Sequence, residues 1–353
     1  MAVRKLRIVR RGRLGNSAST IRILCAFGTA LLGFFAATAQ AAGSGLAGLG
    51  ECPDDPSIIR VEAKPIYSDP KGSIFDPEKL HRHAQQIMPL RKFVTDASER
   101  ADGVDRGTRN CALSMMSAWA KAGAMAEAPT DFGGLRELER FTISLNIIAL
   151  KLLADGLKID PLLGWLGNLN HTVIDRFAER GRVDNLYVWS GVAAASYALL
   201  KVDDPARRYE DAVWIRAVSV IRPDGFVDSE LRRGSRTLSY HAYDLSALLT
   251  LRALRTALGE PLSGQDRTVV MRLVDRVGSS LCDPSQIVTA SGGMAQETSR
   301  AIEFAPLIAF AGDLADGRLS RCGPPDIPTT DPILGGNLDR TAKILTDLGR
   351  RAH

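Results

Sequence analysis

The 353-residue sequence has five cysteines and five histidines but no C-x-x-C pair, and no His/Cys spacing suggests a metal site. The zinc-ribbon and dithiol-redox classes are thereby set aside. No segment alternates apolar and polar residues well enough to be a strand, which excludes sandwiches, barrels and doubly wound sheets. No fixed-period repeat of the tetratricopeptide or HEAT kind is present, and no low-complexity tract interrupts residues 81–350. The apolar run from Ile23 to Ala37 falls short of the ~20 residues that a membrane-spanning helix needs.

That run follows a stretch rich in arginine. Residues 1–22 carry Arg4, Lys5, Arg7, Arg10, Arg11, Arg13 and Arg22 and no acid, and small residues with A-x-A spacing end at Ala41. Residues 1–41 therefore read as a secretory signal peptide. Its removal takes seven of the 45 Lys and Arg and none of the 40 Asp and Glu, leaving 38 against 40. The formal +5 of the full chain thus gives no argument for nucleic-acid binding. Four cysteines remain, Cys52, Cys111, Cys282 and Cys322, an even number that favours disulfides in an exported chain. Three connectivities are open, of which Cys52–Cys111 with Cys282–Cys322 is the most local.

Residues 42–353 read as one domain. Residues 43–80 are rich in Gly, Pro and Asp and form a long loop of functional type. From His81 the spacing predicts helices near 82–101, 107–126, 134–155, 159–180, 187–201, 205–221, 228–258, 265–281, 295–314 and 336–350, separated by Gly, Pro and Asp. Helices joined by short loops over that length imply an all-α fold, an α/α toroid of antiparallel hairpins with a concave face for a long ligand. Met115, Met116, Trp119 and Trp165 fall at core positions of their helices.

The stretch Arg222–Leu245 stands apart. Pro223, Asp224 and Gly225 make a turn, and in the helix predicted after it Arg233, Arg236, Tyr240 and Tyr243 fall on one face. Leu231, Leu238, Leu245 and Leu248 fall on another, with His241 between them, the position of a buried, hydrogen-bonded side chain. For an arbitrary helix, Arg233 and Arg236 would pair with Glu230 or Asp228 at the surface. A cationic and phenolic face also suits a site that holds a carboxylate and moves a proton beside it.

The residues Asp224–Leu245, D-G-F-V-D-S-E-L-R-R-G-S-R-T-L-S-Y-H-A-Y-D-L, resemble the D-G-x-L-P-x-E-L-x-R-x-x-R-A-L-x-Y-H-x-Y-A-L block of the periplasmic alginate (mannuronate) lyases. In the same order, Tyr67–Pro77 resembles their Tyr/Lys-containing lid, Cys111–Ala120 their C-A-L-x-W-L-x-A-W-A, Asp184–Trp189 their N-N-H-S-Y-W and, weakly, Ala301–Phe304 their W-L-E-P. The resemblance spans roughly residues 50–310. It implies a periplasmic or secreted α/α-toroid enzyme that cleaves an acidic polysaccharide by β-elimination without a cofactor or metal. Nucleic acid and membrane are not among its expected partners, and the enzyme is expected to be monomeric.

Carried onto this chain, the resemblance makes Tyr240 the catalytic acid/base and Asn185 and Arg233 the groups that meet the uronate carboxylate. Arg236, Tyr243, Tyr67, Lys71, Trp189 and His241 become substrate contacts. The chain departs from the family after Asn185, where the motif's histidine is replaced by Leu186. Leucine neither neutralises charge nor takes a proton. The chain is then a lyase in which Tyr240 works alone, or alternatively a non-catalytic exopolysaccharide-binding or assembly protein on the same fold.

Overall fold

The helices start where short polar side chains cap them. The carboxylates of Asp76, Asp105, Asp131, Asp184 and Asp203 and the hydroxyl of Ser263 each accept a hydrogen bond from the backbone N–H of the third residue of the helix that follows. Each such cap is worth about 1 kcal/mol. The computed structural model describes residues 52–53, 57–69, 74–297, 301–314 and 317–352. The expected signal peptide and Lys71 lie outside them.

From Gly48 onward the chain is one compact unit. Its helices are α1 (Pro77–Ala101), α2 (Arg106–Lys121), α3 (Phe132–Ala154), α4 (Asp160–Glu179), α5 (Asn185–Leu200), α6 (Asp204–Ser219), α7 (Asp228–Leu231), α8 (Thr237–Ala257), α9 (Gly264–Cys282), α10 (Ser285–Ala290), α11 (Ala301–Phe310), α12 (Gly317–Cys322) and α13 (Leu338–Ala352). The only strands among the described residues are two-residue pieces, Thr330–Asp331 antiparallel to Gly336–Asn337. The architecture is the all-helical α/α toroid.

Helix α5 is the hub. Residues on every side of it are buried, among them Val188, Trp189, Val192, Ala195 and Tyr197, as expected of a helix apolar all round. It packs against α3, α4, α6 and α8. Met115, Met116, Trp119 and Trp165 are buried as their spacing predicts. Phe93 of α1 stacks on Trp119 of α2 at a centroid distance of 3.6 Å. None of the described helices is long and apolar enough to cross a membrane.

Both disulfides follow the most local pairing. Cys52–Cys111 ties the segment before the toroid to α2, and Cys282–Cys322 joins the end of α9 to α12. The second closes a loop with a sequence separation of 40 residues. In the chain-entropy view, replacing both of its cysteines by serine is expected to lower the unfolding free energy by about 4 kcal/mol. Denaturant titration under non-reducing conditions measures the loss; an unchanged midpoint would remove the bond from the stability of the fold.

Two predicted helices are not continuous, and of 295–314 only α11 and a 3₁₀ turn at Gly312–Leu314 are helical among the described residues. Residues 228–258 divide into α7, a 3₁₀ turn at Gly234–Arg236 and α8. The break is at Gly234, with φ at +62°, a conformation that costs other residues energy. A Cβ there would also lie 2.9 Å from the Met294 sulfur. Arg233 and Arg236 therefore do not share a face of α8 with Tyr240. They approach its N-terminus from the side.

Candidate active site

Residues 65–69 with Phe75, the connection between α4 and α5, the broken segment before α8 and the helices α1, α3, α5 and α8 enclose a groove of about 560 Å³. Asn185 and Leu186 enter it from the start of α5, Arg233 and Arg236 from the broken segment, and Tyr240 and Tyr243 from α8. Tyr67 and Phe75 close one side, paired across an antiparallel bridge with rings stacked 5.1 Å apart. The groove is strongly cationic: Arg91, Arg136, Arg140, Arg180, Arg182, Arg233 and Arg236 line it, against the carboxylates of Asp69 and Asp184. A polyanion fits such a wall.

Tyr240 sits between the two arginines of the broken segment. The guanidinium carbon of Arg233 lies 4.3 Å from its ring centroid and that of Arg236 5.1 Å away, within cation–π range. The Tyr240 hydroxyl hydrogen-bonds that of Tyr67, and Arg236 Nη1 donates to the Tyr67 oxygen at 3.1 Å. Burial raises the Tyr240 pKa and Tyr67 adds to the rise, while Arg233 and Arg236 pull it down. The group is a phenol held next to two positive charges, which suits proton transfer better than surface display.

Asn185 is the first residue of α5, held there by the cap from Asp184, which accepts from Tyr187 N at 3.1 Å. Its backbone N–H and its Nδ2 donate to Glu230 Oε1 and Oε2 at 3.2 and 3.1 Å. Arg233 does pair with Glu230, at 3.4 Å, but behind the groove wall and out of solvent. Asp228 pairs with Arg222 at 3.0 Å instead. Leu186 lines the groove beside Asn185, so the side chain after the asparagine faces the ligand space.

Two expected substrate contacts are not in the groove. His241 is fully buried: Nδ1 donates to Thr237 O at 2.8 Å, and Nε2 accepts from Val227 N at 3.1 Å. Both nitrogens are committed to backbone, so His241 clamps the turn after α6 onto α8 and is unable to reach a ligand. That turn needs its glycine, since a Cβ on Gly225 (φ +81°) would lie 2.2 Å from the Arg272 carbonyl oxygen. Trp189 is likewise buried in α5 and lines an adjoining chamber of about 280 Å³, against Tyr243 at a centroid distance of 5.3 Å. Tyr243, Arg91 and Arg140 border both spaces.

Burial has a measurable consequence at His241. Its pKa is pushed down to about 4 by desolvation, and protonation would set a second N–H against that of Val227. The unfolded chain takes up this proton near pH 6.5 and the folded one only near pH 4, so stability is lost as pH falls between the two. The loss is on the order of 3 kcal/mol. Denaturant midpoints measured from pH 7 to pH 4 on the native chain and on His241→Gln test this: the acid-side slope is expected to shrink in the variant, and an equal slope would assign it to other groups.

The groove also contains residues that the sequence pattern did not place there. His83 of α1 is buried in its wall, with Nε2 3.1 Å from Glu137 Oε1 and Nδ1 3.0 Å from Lys64 O. Burial pushes the Glu137 pKa up, but Arg140, the His83 hydrogen bond and Arg136 outweigh it and keep the carboxyl ionised. Arg136 and Arg140 are one turn apart on α3, a spacing visible in L-R-E-L-E-R, where the interleaved glutamates give the composition of an ordinary charged face. His171, by contrast, pairs with Asp203 at 3.2 Å and is half exposed.

Comparison with known proteins agrees with this fold. The family model for alginate lyase matches residues 158–287, the part that carries Asn185, Arg233 and Tyr240. A polysaccharide lyase of Stenotrophomonas maltophilia (strain K279a) is 26% identical over 302 residues, covering 81% of this chain and 89% of that protein. An alginate lyase of Pseudomonas paraeruginosa (strain DSM 24068 / PA7) is 23% identical over 278 residues, covering 74% and 75%. The solved structure of a histidine-to-alanine variant of alginate lyase A1-III complexed with tetrasaccharide superposes with a TM-score of 0.68 at 16% identity, over 84% of this chain and 88% of that one. Alginate lyase A1-III from Sphingomonas species A1 gives 0.63 over the same shares. The matched family model and the relatives make the chain similar to the alginate lyases over the part that carries these residues, and with the shared toroid they support a polysaccharide lyase.

Proposed function

We propose that this chain cleaves a β-1,4-linked polyuronate, a mannuronan (alginate) or glucuronan-like exopolysaccharide, by syn β-elimination with Tyr240 as acid and base. The observation that carries this reading is the meeting of Tyr240, Asn185, Arg233 and Arg236 in one arginine-lined groove. Tyr240, ionised, takes the C5 proton of a uronate. The electrons of that C–H bond form the C4–C5 double bond as the C4–O bond breaks. The departing oxygen then takes a proton from the phenol, which returns Tyr240 to its starting state.

The C5 proton is poorly acidic because the adjoining carboxylate is already charged. Asn185 and Arg233 meet that carboxylate and stabilise the enolate-like charge that builds on it. Leu186 supplies neither charge nor a base, so one tyrosine serves both steps. That works only when the C5 proton and the C4 oxygen lie on one side of the ring. Mannuronate and glucuronate differ only at C2 and share this arrangement, whereas guluronate is inverted at C5 and lacks it. The two disulfides suit an oxidising compartment, in keeping with a periplasmic or secreted, monomeric enzyme.

Ultraviolet absorbance of unsaturated uronate, followed with mannuronan, glucuronan and guluronan in parallel, tests the substrate assignment. Turnover is expected on one or both of the first two and not on guluronan. Preference for guluronan would contradict the single-tyrosine geometry. Tight binding of all three with no product would instead support a polymer-binding protein, the reading that Leu186 favours.

A further inference from the structure

Glu230 lies behind the groove, not in it, and is completely buried. Three hydrogen bonds and one ion pair converge on its carboxylate: Asn185 N at 3.2 Å, Asn185 Nδ2 at 3.1 Å, Ser229 Oγ at 3.0 Å and Arg233 Nε at 3.4 Å. The first of these is an N–H at the start of α5, which has no carbonyl partner within its own helix. The carboxylate therefore answers an orphan backbone donor, an amide and a guanidinium at once. All three belong to Asn185 and Arg233, the two residues that meet the substrate carboxylate in the proposed elimination.

A buried carboxylate needs all of this. Asp184 and Asp244 stand close enough to repel it, and Asp244 is itself pushed well up by burial and then by Glu230 and Asp184. Burial raises Glu230 too, and its cation and three donors oppose that rise and favour the charged form. The arrangement suits an acceptor, because every group that hydrogen-bonds or ion-pairs with Glu230 is a donor toward it. A glutamine of the same shape would turn its own N–H groups against those of Asn185 or Arg233.

We infer that Glu230 is a positioning residue for the elimination: it fixes the direction of the Asn185 amide and anchors Arg233, so that both face the uronate carboxylate. With one Nδ2 proton held by Glu230, the amide does not flip, and its second Nδ2 proton is the donor left for the ligand. Glu230 touches neither substrate nor reacting atoms and acts through its two partners. The inference rests on the elimination reading for what Asn185 and Arg233 do. It differs from that reading in placing the control of both residues on a side chain outside the groove.

The test is a double-mutant cycle of Glu230→Gln and Asn185→Ala, with kcat and KM measured on mannuronan and oligomannuronate affinity measured by calorimetry. Glu230→Gln is expected to lower kcat about 30-fold and to weaken oligosaccharide binding only about threefold. With Asn185 already alanine, it is expected to cost no more than about threefold in kcat, the remainder running through Arg233. An equal loss in both backgrounds, or no loss in either, overturns the inference. If Glu230→Gln does not fold, Ser229→Ala, which removes one hydrogen bond from Oε1, takes its place. A loss of about threefold that vanishes beside Asn185→Ala supports the inference, and one that persists overturns it. If the native chain forms no unsaturated product at all, the elimination reading fails by itself. Glu230 is then judged on affinity alone: weaker binding that depends on Asn185 supports it, and weakening independent of Asn185 overturns it.

Discussion

Tyr240→Phe is expected to abolish formation of the unsaturated uronate while leaving melting behaviour and helix content unchanged. The ring that Arg233 and Arg236 flank at 4.3 and 5.1 Å is retained in the variant. Only the hydroxyl is lost, and with it the hydrogen bond to Tyr67. If one group both takes the C5 proton and protonates the leaving oxygen, its removal affects both transfers, and the fall should reach about 10⁴-fold, the upper end for a single acid/base. The native enzyme should also be faster in alkali. Burial and Tyr67 raise the pKa of the phenol against the pull of the two arginines, so the ionised base becomes commoner as pH rises. Single-turnover absorbance measurements decide the role, and residual turnover above about one part in a hundred would assign the proton transfer elsewhere.

Arg233→Met should produce the second-largest loss, on the order of 10²–10³ in kcat with a smaller change in KM. Methionine keeps much of the arginine stem but cannot stabilise charge on the uronate carboxylate as C5 loses its proton. Two further effects follow from the same removal. Tyr240 loses the nearer of its two flanking cations, which makes it harder to ionise and moves the alkaline rise to higher pH. Glu230, whose pKa burial already raises against the opposing charge of Arg233, takes up a proton and loosens its hold on Asn185. The signature is therefore a fall in kcat together with an alkaline displacement of the pH profile. A variant that changes KM alone would show that Arg233 only binds the polymer.

Helix positions were legible in the sequence because apolar spacing and aspartate caps mark where a helix runs and where it begins. The disulfides were legible too, since the most local of three pairings is the one adopted. The Tyr240 block pointed to the groove, but for a reason only partly correct. A face drawn on a continuous helix placed Arg233 and Arg236 beside Tyr240, and the chain brings them there by breaking at Gly234. Helical spacing says which residues share a side and not which neighbour covers that side. The resemblance made His241 and Trp189 ligand contacts, whereas one is tied to backbone, as its place among the leucines implied, and the other lies in the hub helix. The same limit concealed His83, Arg136 and Arg140. They come from α1 and α3, about a hundred residues or more before Tyr240, and only the closure of the toroid sets them opposite it.

The mechanism and the enzyme itself are tested together by the mass and absorbance of the products from mannuronan. Elimination moves no water into the chain, so each new non-reducing end should carry a C4–C5 double bond and be lighter by one water than a hydrolysis product. Oligosaccharides of that mass, absorbing in the ultraviolet and missing from Tyr240→Phe, are the expected result. Products of hydrolytic mass, or unsaturated products formed equally well by Tyr240→Phe, would contradict it.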